Sequence, residues 1–182
     1  CMQAADTAII LVDAVDGVKV QTEQVTDFAA EDKLPCAIFI NKLDRERADF
    51  SRTFEDAVQC LSPKPIILQL PIGAEADFNG IVDLVSLKAY RYDDSGNATQ
   101  IDIPADMQDT VESERETLIE NVAEADDALL ERYLEGETIT NQELRDTLKK
   151  GVLDRTFAPV LCGSATANIG VDLLMDFITT CL

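Results

Sequence analysis

Short apolar runs followed by stretches with helical periodicity recur near both ends of the chain. The apolar runs cover residues 7–12, 36–40 and 158–162. Apolar positions three or four residues apart follow each run, which predicts helices over about 21–33, 50–61 and 170–182. Strands that alternate with helices favour a parallel sheet with right-handed crossovers. The pattern therefore predicts an α/β fold built from three βα units.

Each predicted helix carries one apolar face that can pack on the sheet. In the first helix this face consists of Val25, Phe28 and Ala29. In the second it consists of Phe50, Phe54, Ala57, Val58 and Leu61, and in the third of Leu173, Leu174, Phe177, Ile178 and Cys181.

Between the second and third units, the pattern changes to that of an inserted α+β subdomain, from residue 63 to 156. Short strands are predicted over 66–70 and 81–92. Residues 93–97 have the composition of a hairpin turn, and a returning strand is expected over 99–103.

Helices are predicted after Pro104 in the same insert. Residues 106–137 hold twelve Asp and Glu against two Arg, yet apolar positions keep helical spacing, which predicts a folded helical pair with one acidic face. Thr140 and Glu143 form a capping box for a further helix, which Gly151 is expected to close. The resulting division of the chain is 1–62 and 157–182 for the α/β part and 63–156 for the insert.

Composition narrows the class of protein. The net charge of −20 argues against general binding to nucleic acid and favours partners with basic surfaces. No apolar run approaches the roughly 20 residues that span a bilayer. The chain has no His, and its cysteines show no C-x-x-C spacing, which argues against zinc and fits a reducing, cytoplasmic compartment. The five cysteines are Cys1, Cys36, Cys60, Cys162 and Cys181.

The most informative motif is N-K-L-D, which directly follows the second apolar run. Guanine presents a ring N–H and an exocyclic amine side by side, and one carboxylate, that of Asp44, can accept both bonds. Adenine lacks this pair of donors and would leave the carboxylate unpaired. Lys42 is expected to lie over the base, and Asn41 to tie the loop to neighbouring backbone. The alternative is an ordinary strand-to-helix turn.

A second motif, Gly163-Ser164-Ala165, follows the third apolar run. We expect the Ala165 N–H to donate to the guanine carbonyl and the Ser164 hydroxyl to brace the loop. Ligands of open α/β sheets bind at the carboxyl ends of the strands, where both motifs are predicted to lie. Together they favour a guanine site over two unrelated turns.

The motifs that bind phosphate groups are absent from the sequence. There is no G-x-x-x-x-G-K-[ST], no D-x-x-G with the required spacing, and no His to orient a hydrolytic water. Residues 13–17 are instead expected to end the first strand and turn into a helix. The chain therefore has no predicted catalytic residue and no predicted metal ligand.

The order of these motifs resembles the second half of the G domain of bacterial elongation factor G, including its family-specific insert. The resemblance rests on residues 7–18, 21–23, 41–44, 69–73, 78–84, 133–136 and 162–165. Ile169 stands where elongation factor G usually has Lys, which leaves a paralogue of that factor as an alternative.

The resemblance implies a P-loop-GTPase-type sheet and a parent protein that hydrolyses GTP on the ribosome during translocation. It also implies GTP or GDP as ligand, with the phosphate loop and the Mg²⁺ site upstream of Cys1, so that this chain alone should be inactive. The implied partner of the acidic helices is the ribosomal stalk protein. A stand-alone acidic interaction module with a vestigial nucleotide pocket is the alternative.

The first strand carries a further expectation. In the family's sheet, the strand over 7–12 pairs with the phosphate-loop strand, which this chain lacks. It has no Lys or Pro to protect its edge, so we expect the chain to self-associate there.

Overall fold

A four-stranded parallel sheet joins the two ends of the chain in the computed structural model, which describes residues 4–182. Its strands are β1 (Ala8–Asp13), β2 (Cys36–Asn41), β3 (Lys64–Ile67) and β8 (Phe157–Cys162), in the order β1-β2-β8-β3. The strands β2 and β8 are almost completely buried, as continuous apolar runs in a parallel sheet require. The predicted α/β fold is confirmed, with a fourth parallel strand added to the predicted three.

Three helices accompany this sheet, namely α1 (Val20–Glu31), α2 (Phe50–Cys60) and α6 (Val171–Cys181). The side chain of Asp49 caps α2 by accepting a hydrogen bond from the Arg52 N–H at 3.0 Å. The Ala14 carbonyl accepts from the Asp49 N–H at 3.0 Å, which ties the turn after β1 to the start of α2.

A separate antiparallel sheet forms the first part of the insert. It contains β4 (Gln69–Ile72), β5 (Gly80–Asp83), β6 (Lys88–Tyr92) and β7 (Ala98–Ile101), in that order. The predicted hairpin turn joins β6 to β7, where the Asp93 N–H donates to the Asn97 carbonyl at 3.1 Å.

The single strands predicted over 66–70 and 81–92 were both wrong, because parts of two strands lie in each range. The chain changes sheets at Leu68, because β3 pairs with β8 whereas β4 pairs with β5. Residues 64–67, inside the range predicted for the insert, thus belong to the parallel sheet. Otherwise the division into 1–62, 63–156 and 157–182 stays a prediction.

Three helices complete the insert, namely α3 (Gln108–Ala123), α4 (Asp127–Leu134) and α5 (Asn141–Leu153). The predicted capping box between Thr140 and Glu143 is present at the start of α5. Gly151 does not end α5, contrary to prediction. Arg155 takes the left-handed conformation instead (φ 60°), and the Thr156 N–H returns to the Gly151 carbonyl at 2.8 Å, which forms a Schellman motif.

The insert is held together by a buried arginine that the sequence pattern did not reveal. Arg115 on α3 is only 8% exposed. Its guanidinium donates to the Leu84 and Val85 carbonyls in the turn after β5, and to Asn141 Oδ1 at 2.6 Å. Desolvation lowers the pKa of Arg115 from its ordinary value. One side chain thereby joins the antiparallel sheet to α3 and α5.

The first strand lies at the edge of the parallel sheet and pairs only with β2 in the described part of the chain. Leu11 on this strand is 61% exposed, and Val25 and Phe28 on α1 are also exposed. The apolar face predicted for α1 is therefore only partly buried, through Ala29. Self-association at this edge stays a prediction.

Two of the described cysteines lie inside the buried strands, as predicted. Cys36 and Cys162 are buried in β2 and β8, Cys60 is exposed, and the described cysteines are free thiols. Cys1 lies outside the described residues. Within residues 4–182, none of the helices has the length and apolar composition needed to cross a membrane.

We predict that Arg115→Ala destabilises the fold by roughly 2–4 kcal/mol, because it leaves buried carbonyl groups without donors. Thermal unfolding followed by circular dichroism measures the change. Arg91→Ala is the matched control, since Arg91 is exposed on β6. Equal melting temperatures for the two variants would contradict the structural role of Arg115.

Candidate guanine-recognition site

Two loops that are far apart in sequence meet at the carboxyl ends of β2 and β8. The strands pair in register, with Ile40 opposite Cys162. Beyond them the Gly163 N–H donates to the Ile40 carbonyl at 3.0 Å, and the Leu43 N–H donates to the Gly163 carbonyl at 3.3 Å. A Cβ on Gly163 would lie 2.3 Å from the Ile169 carbonyl oxygen, so only glycine fits at the start of the second loop.

Asn41 forms the side-chain link between these loops. Its Oδ1 accepts from the Lys42 N–H at 2.8 Å and from the Ala165 N–H at 3.0 Å. Asn41 was expected to tie its loop to neighbouring backbone, and this contact is of that kind. The Ala165 N–H, which was expected to face the guanine carbonyl, donates here to Asn41.

Ser164 shapes the second loop from inside. It is fully buried, and its backbone exchanges hydrogen bonds with Ile169 at 3.0 and 2.9 Å. Its Oγ accepts from the Ala167 N–H at 3.2 Å, a contact within the same loop. The loop is therefore a closed turn that presents Ala165 on its outside.

Asp44 has a side-chain oxygen without a hydrogen-bond partner among the described residues. Its Oδ1 is buried and has no hydrogen-bond partner among residues 4–182, whereas its Oδ2 lies 3.8 Å from Arg45 Nε. Leaving a buried acceptor unpaired costs about 1–3 kcal/mol, and more for a charged group. Such an atom therefore favours a ligand that brings N–H donors to it. The donor pair of guanine fits this requirement.

Lys42 is held by a residue that sequence reasoning did not assign to the site. The backbone of Lys42 is left-handed (φ 69°), and Lys42 Nζ lies 2.5 Å from Asp13 Oδ2. Asp13 ends β1, as predicted, and its Oδ1 accepts from the Val15 N–H at 2.9 Å. Asp13 reaches Lys42 because it lies opposite Asn41 in the parallel register, which the sequence pattern alone does not give.

The charge of Asp13 is stabilised by these contacts. Desolvation raises the pKa of its carboxyl group. The hydrogen bonds from Lys42 and from the Val15 and Asp16 N–H groups lower this pKa, and together they outweigh desolvation. The net effect is a pKa below the ordinary value, so the ion pair with Lys42 persists at neutral pH.

Metal-binding groups and clefts were also compared with the position of the two loops. Within residues 4–182, no group of three or more His, Cys, Asp or Glu side chains is placed to hold a metal ion. A cleft of about 450 Å³ lies elsewhere, between the antiparallel sheet, α5 and α6, and the five predicted site residues do not line it.

A family model and one relative identify the family of the chain. The family model described as elongation factor Tu GTP binding domain matches residues 1–182. Elongation factor G of Aquifex pyrophilus is 42% identical over 178 residues, which cover 96% of this chain and 26% of that protein. A crystal structure of a protein from Thermus thermophilus is 32% identical with a TM-score of 0.91, and the match covers 100% of this chain and 27% of that one. The chain thus spans about a quarter of the length of these relatives.

We predict that Lys42→Met raises the pKa of Asp13 from its lowered value in the parent chain, because desolvation is then opposed only by the Val15 and Asp16 N–H groups. A lowered pKa means that the Asp13 charge stabilises the fold above pH 3.8, and that this contribution is lost as the pH falls through the folded-state value. Carboxyl carbon NMR shifts followed against pH measure the change. Lys33→Met is the control, and an Asp13 pKa identical in all three proteins would contradict the ion pair.

Proposed function

We propose, since the chain belongs to the elongation factor Tu GTP binding domain family, that its loops after β2 and β8 recognise the base of a guanine nucleotide. The observation that carries this proposal is the buried, unpartnered Oδ1 of Asp44, beside a loop pair joined by Asn41 and Ala165. Membership in this family and the similarity to elongation factor G agree with the motifs found in the sequence.

The proposed chemistry assigns a role to each site residue. Asp44 accepts the two adjacent donors of guanine in a charge-assisted pair. Asn41 and Ser164 hold the loops together. The Ala165 N–H donates to Asn41 in the structure, and to reach a base carbonyl it would exchange that bond for one to the ligand. The salt bridge to Asp13 fixes the end of the Lys42 side chain, which leaves its aliphatic part to cover the base.

The proposal also covers GTP hydrolysis by a longer parent protein that contains this chain. A parent of the elongation factor G type would hydrolyse GTP on the ribosome, and residues outside this chain would bind the phosphates and Mg²⁺. Phosphoryl transfer depends on positioning and on neutralising charge around those phosphates. We therefore expect the 182-residue chain to bind guanine nucleotides weakly and to hydrolyse none at a measurable rate.

We predict that Asp44→Asn lowers affinity for GMP about 10- to 100-fold, the range for losing a hydrogen bond to a charged group. The same variant should gain affinity for XMP, because an amide NH₂ can donate to the xanthine carbonyl that replaces the guanine amine. Titrations of the chain followed by NMR give the affinities for GMP, XMP and AMP.

Glu46→Gln is the matched control, because it neutralises an exposed carboxylate two residues away. It should keep the preference of the parent chain for GMP. An Asp44→Asn chain that retains this preference would show that Asp44 does not recognise the base.

A second part of the proposal concerns the acidic face of α3. Glu112, Glu116 and Glu120 are exposed and lie one helical turn apart, while Arg115 on the same helix faces the interior. Glu112 and Glu116 border a shallow apolar depression, together with Leu87, which is 44% exposed. We propose that this face docks a basic partner, and the similarity to elongation factor G favours the ribosomal stalk protein.

We predict that reversing these three glutamates to Lys slows association with the stalk protein, most strongly at low salt, because long-range attraction sets the encounter rate. Stopped-flow fluorescence over a range of ionic strength measures the rate. The control reverses Asp27, Glu31 and Glu55, which are exposed elsewhere and give the same change in net charge. Equal association rates for the two triple variants would show that the acidic face of α3 does not dock the stalk protein.

A further inference from the structure

The antiparallel sheet of the insert contacts the segment that carries Ala165. Tyr92, at the end of β6, is only 6% exposed. Its hydroxyl donates to Asp172 Oδ1 at 2.6 Å, and Asp172 lies in the first turn of α6, directly after the Ser164–Ile169 loop. Burial is the main cause that raises the pKa of Tyr92, and the hydrogen bond to Asp172 is the second. The hydroxyl therefore remains a donor at neutral pH.

Two more contacts reinforce this connection. The Asn168 side chain lies against the hairpin turn, with its Nδ2 3.5 Å from the Gly96 carbonyl oxygen. Gly170, which is left-handed (φ 78°), leaves room for Ile81 of β5, whose Cδ1 would lie 2.5 Å from a Cβ at that position. The sheet therefore meets the loop at its tip and at its junction with α6.

The same insert also contacts the loop that carries Asp44. Glu75 lies in a short 3₁₀ turn between β4 and β5. Its Oε1 accepts from the Arg47 N–H at 2.7 Å. Both residues are left-handed, Glu75 with φ 52° and Arg47 with φ 65°. Such conformations are unfavourable for these residue types and persist where surrounding contacts hold them.

We propose that the antiparallel sheet and its 3₁₀ turn hold both base-recognition loops in place, with Tyr92 and Glu75 as positioning residues for guanine binding. This inference rests on the proposed function of the two loops. The insert would then be a support that sets nucleotide affinity, in addition to presenting an acidic face. Neither residue needs to touch the base.

Amide hydrogen exchange in the 182-residue chain tests the proposal without nucleotide. Tyr92→Phe keeps the ring and removes the hydroxyl. It should speed exchange at the Ala165 and Ile169 amides about 2- to 10-fold, the range that corresponds to one net hydrogen bond. Glu75→Ala should do the same at the Arg47 amide. Core amides such as Ile38 should exchange at the rate of the parent chain in both variants.

Tyr90→Phe is the matched control, because Tyr90 is on the same strand and its hydroxyl makes no hydrogen bond within residues 4–182. It should leave exchange at Ala165 unchanged. Asp172→Ala should reproduce the effect of Tyr92→Phe, and the double variant should add little, because both changes remove the same bond. Unchanged exchange at Ala165 in Tyr92→Phe, or equal acceleration throughout the core, would overturn the positioning role.

Affinity for GMP distinguishes the positioning role of Tyr92 and Glu75 from the proposed recognition of guanine by the two loops. Tyr92→Phe and Glu75→Ala should each weaken GMP binding about 2- to 10-fold, on the same hydrogen-bond scale, with Tyr90→Phe unchanged. If the parent chain shows no preference for GMP over AMP, the proposed function fails, and the exchange rates alone decide whether the insert supports the loops. If the preference is present but neither variant changes affinity, only the positioning role fails.

Discussion

The pairing of β2 with β8 is the constraint on which the rest of the site depends. These strands lie more than a hundred residues apart in sequence, yet their register sets Ile40 opposite Cys162 and so fixes where both loops begin. Because side chains alternate between faces, a slip of one residue would turn Asn41 away from Ala165. The Gly163 contacts and the Asn41–Ala165 bond then close the gap between the loops.

The insert leaves this pairing intact because it departs and returns at neighbouring strands. It begins after β3, which is hydrogen-bonded to β8, the strand that follows the insert. The Leu68 N–H still donates to the Val160 carbonyl at 3.0 Å as the chain changes sheets. The ends of the insert are therefore fixed by the sheet, and a long insertion between fixed ends adds little closure entropy. Its contacts through Tyr92 and Glu75 connect it back to both loops.

The buried parallel strands and the loop motifs could be predicted because their signals are local. A continuous apolar run identifies a buried strand, and N-K-L-D and G-S-A are contiguous. The change of sheet at Leu68 could not be predicted, since no glycine or proline marks it and one strand extends almost directly into the next. Arg115 was hidden for another reason, because a lone Arg in an acidic helix is typical of an exposed surface pair. The Asp13–Lys42 salt bridge depends on strand neighbours, which sequence periodicity does not give.

A single NMR titration shows whether the two loops form one guanine-recognition site. The ¹⁵N-labelled chain is titrated with GMP and, separately, with AMP. We expect the amides of Leu43, Asp44 and Ala165 to shift together with one shared dissociation constant for GMP and a much larger one for AMP. Equal responses to both nucleotides, or shifts confined to one of the two loops, would contradict it.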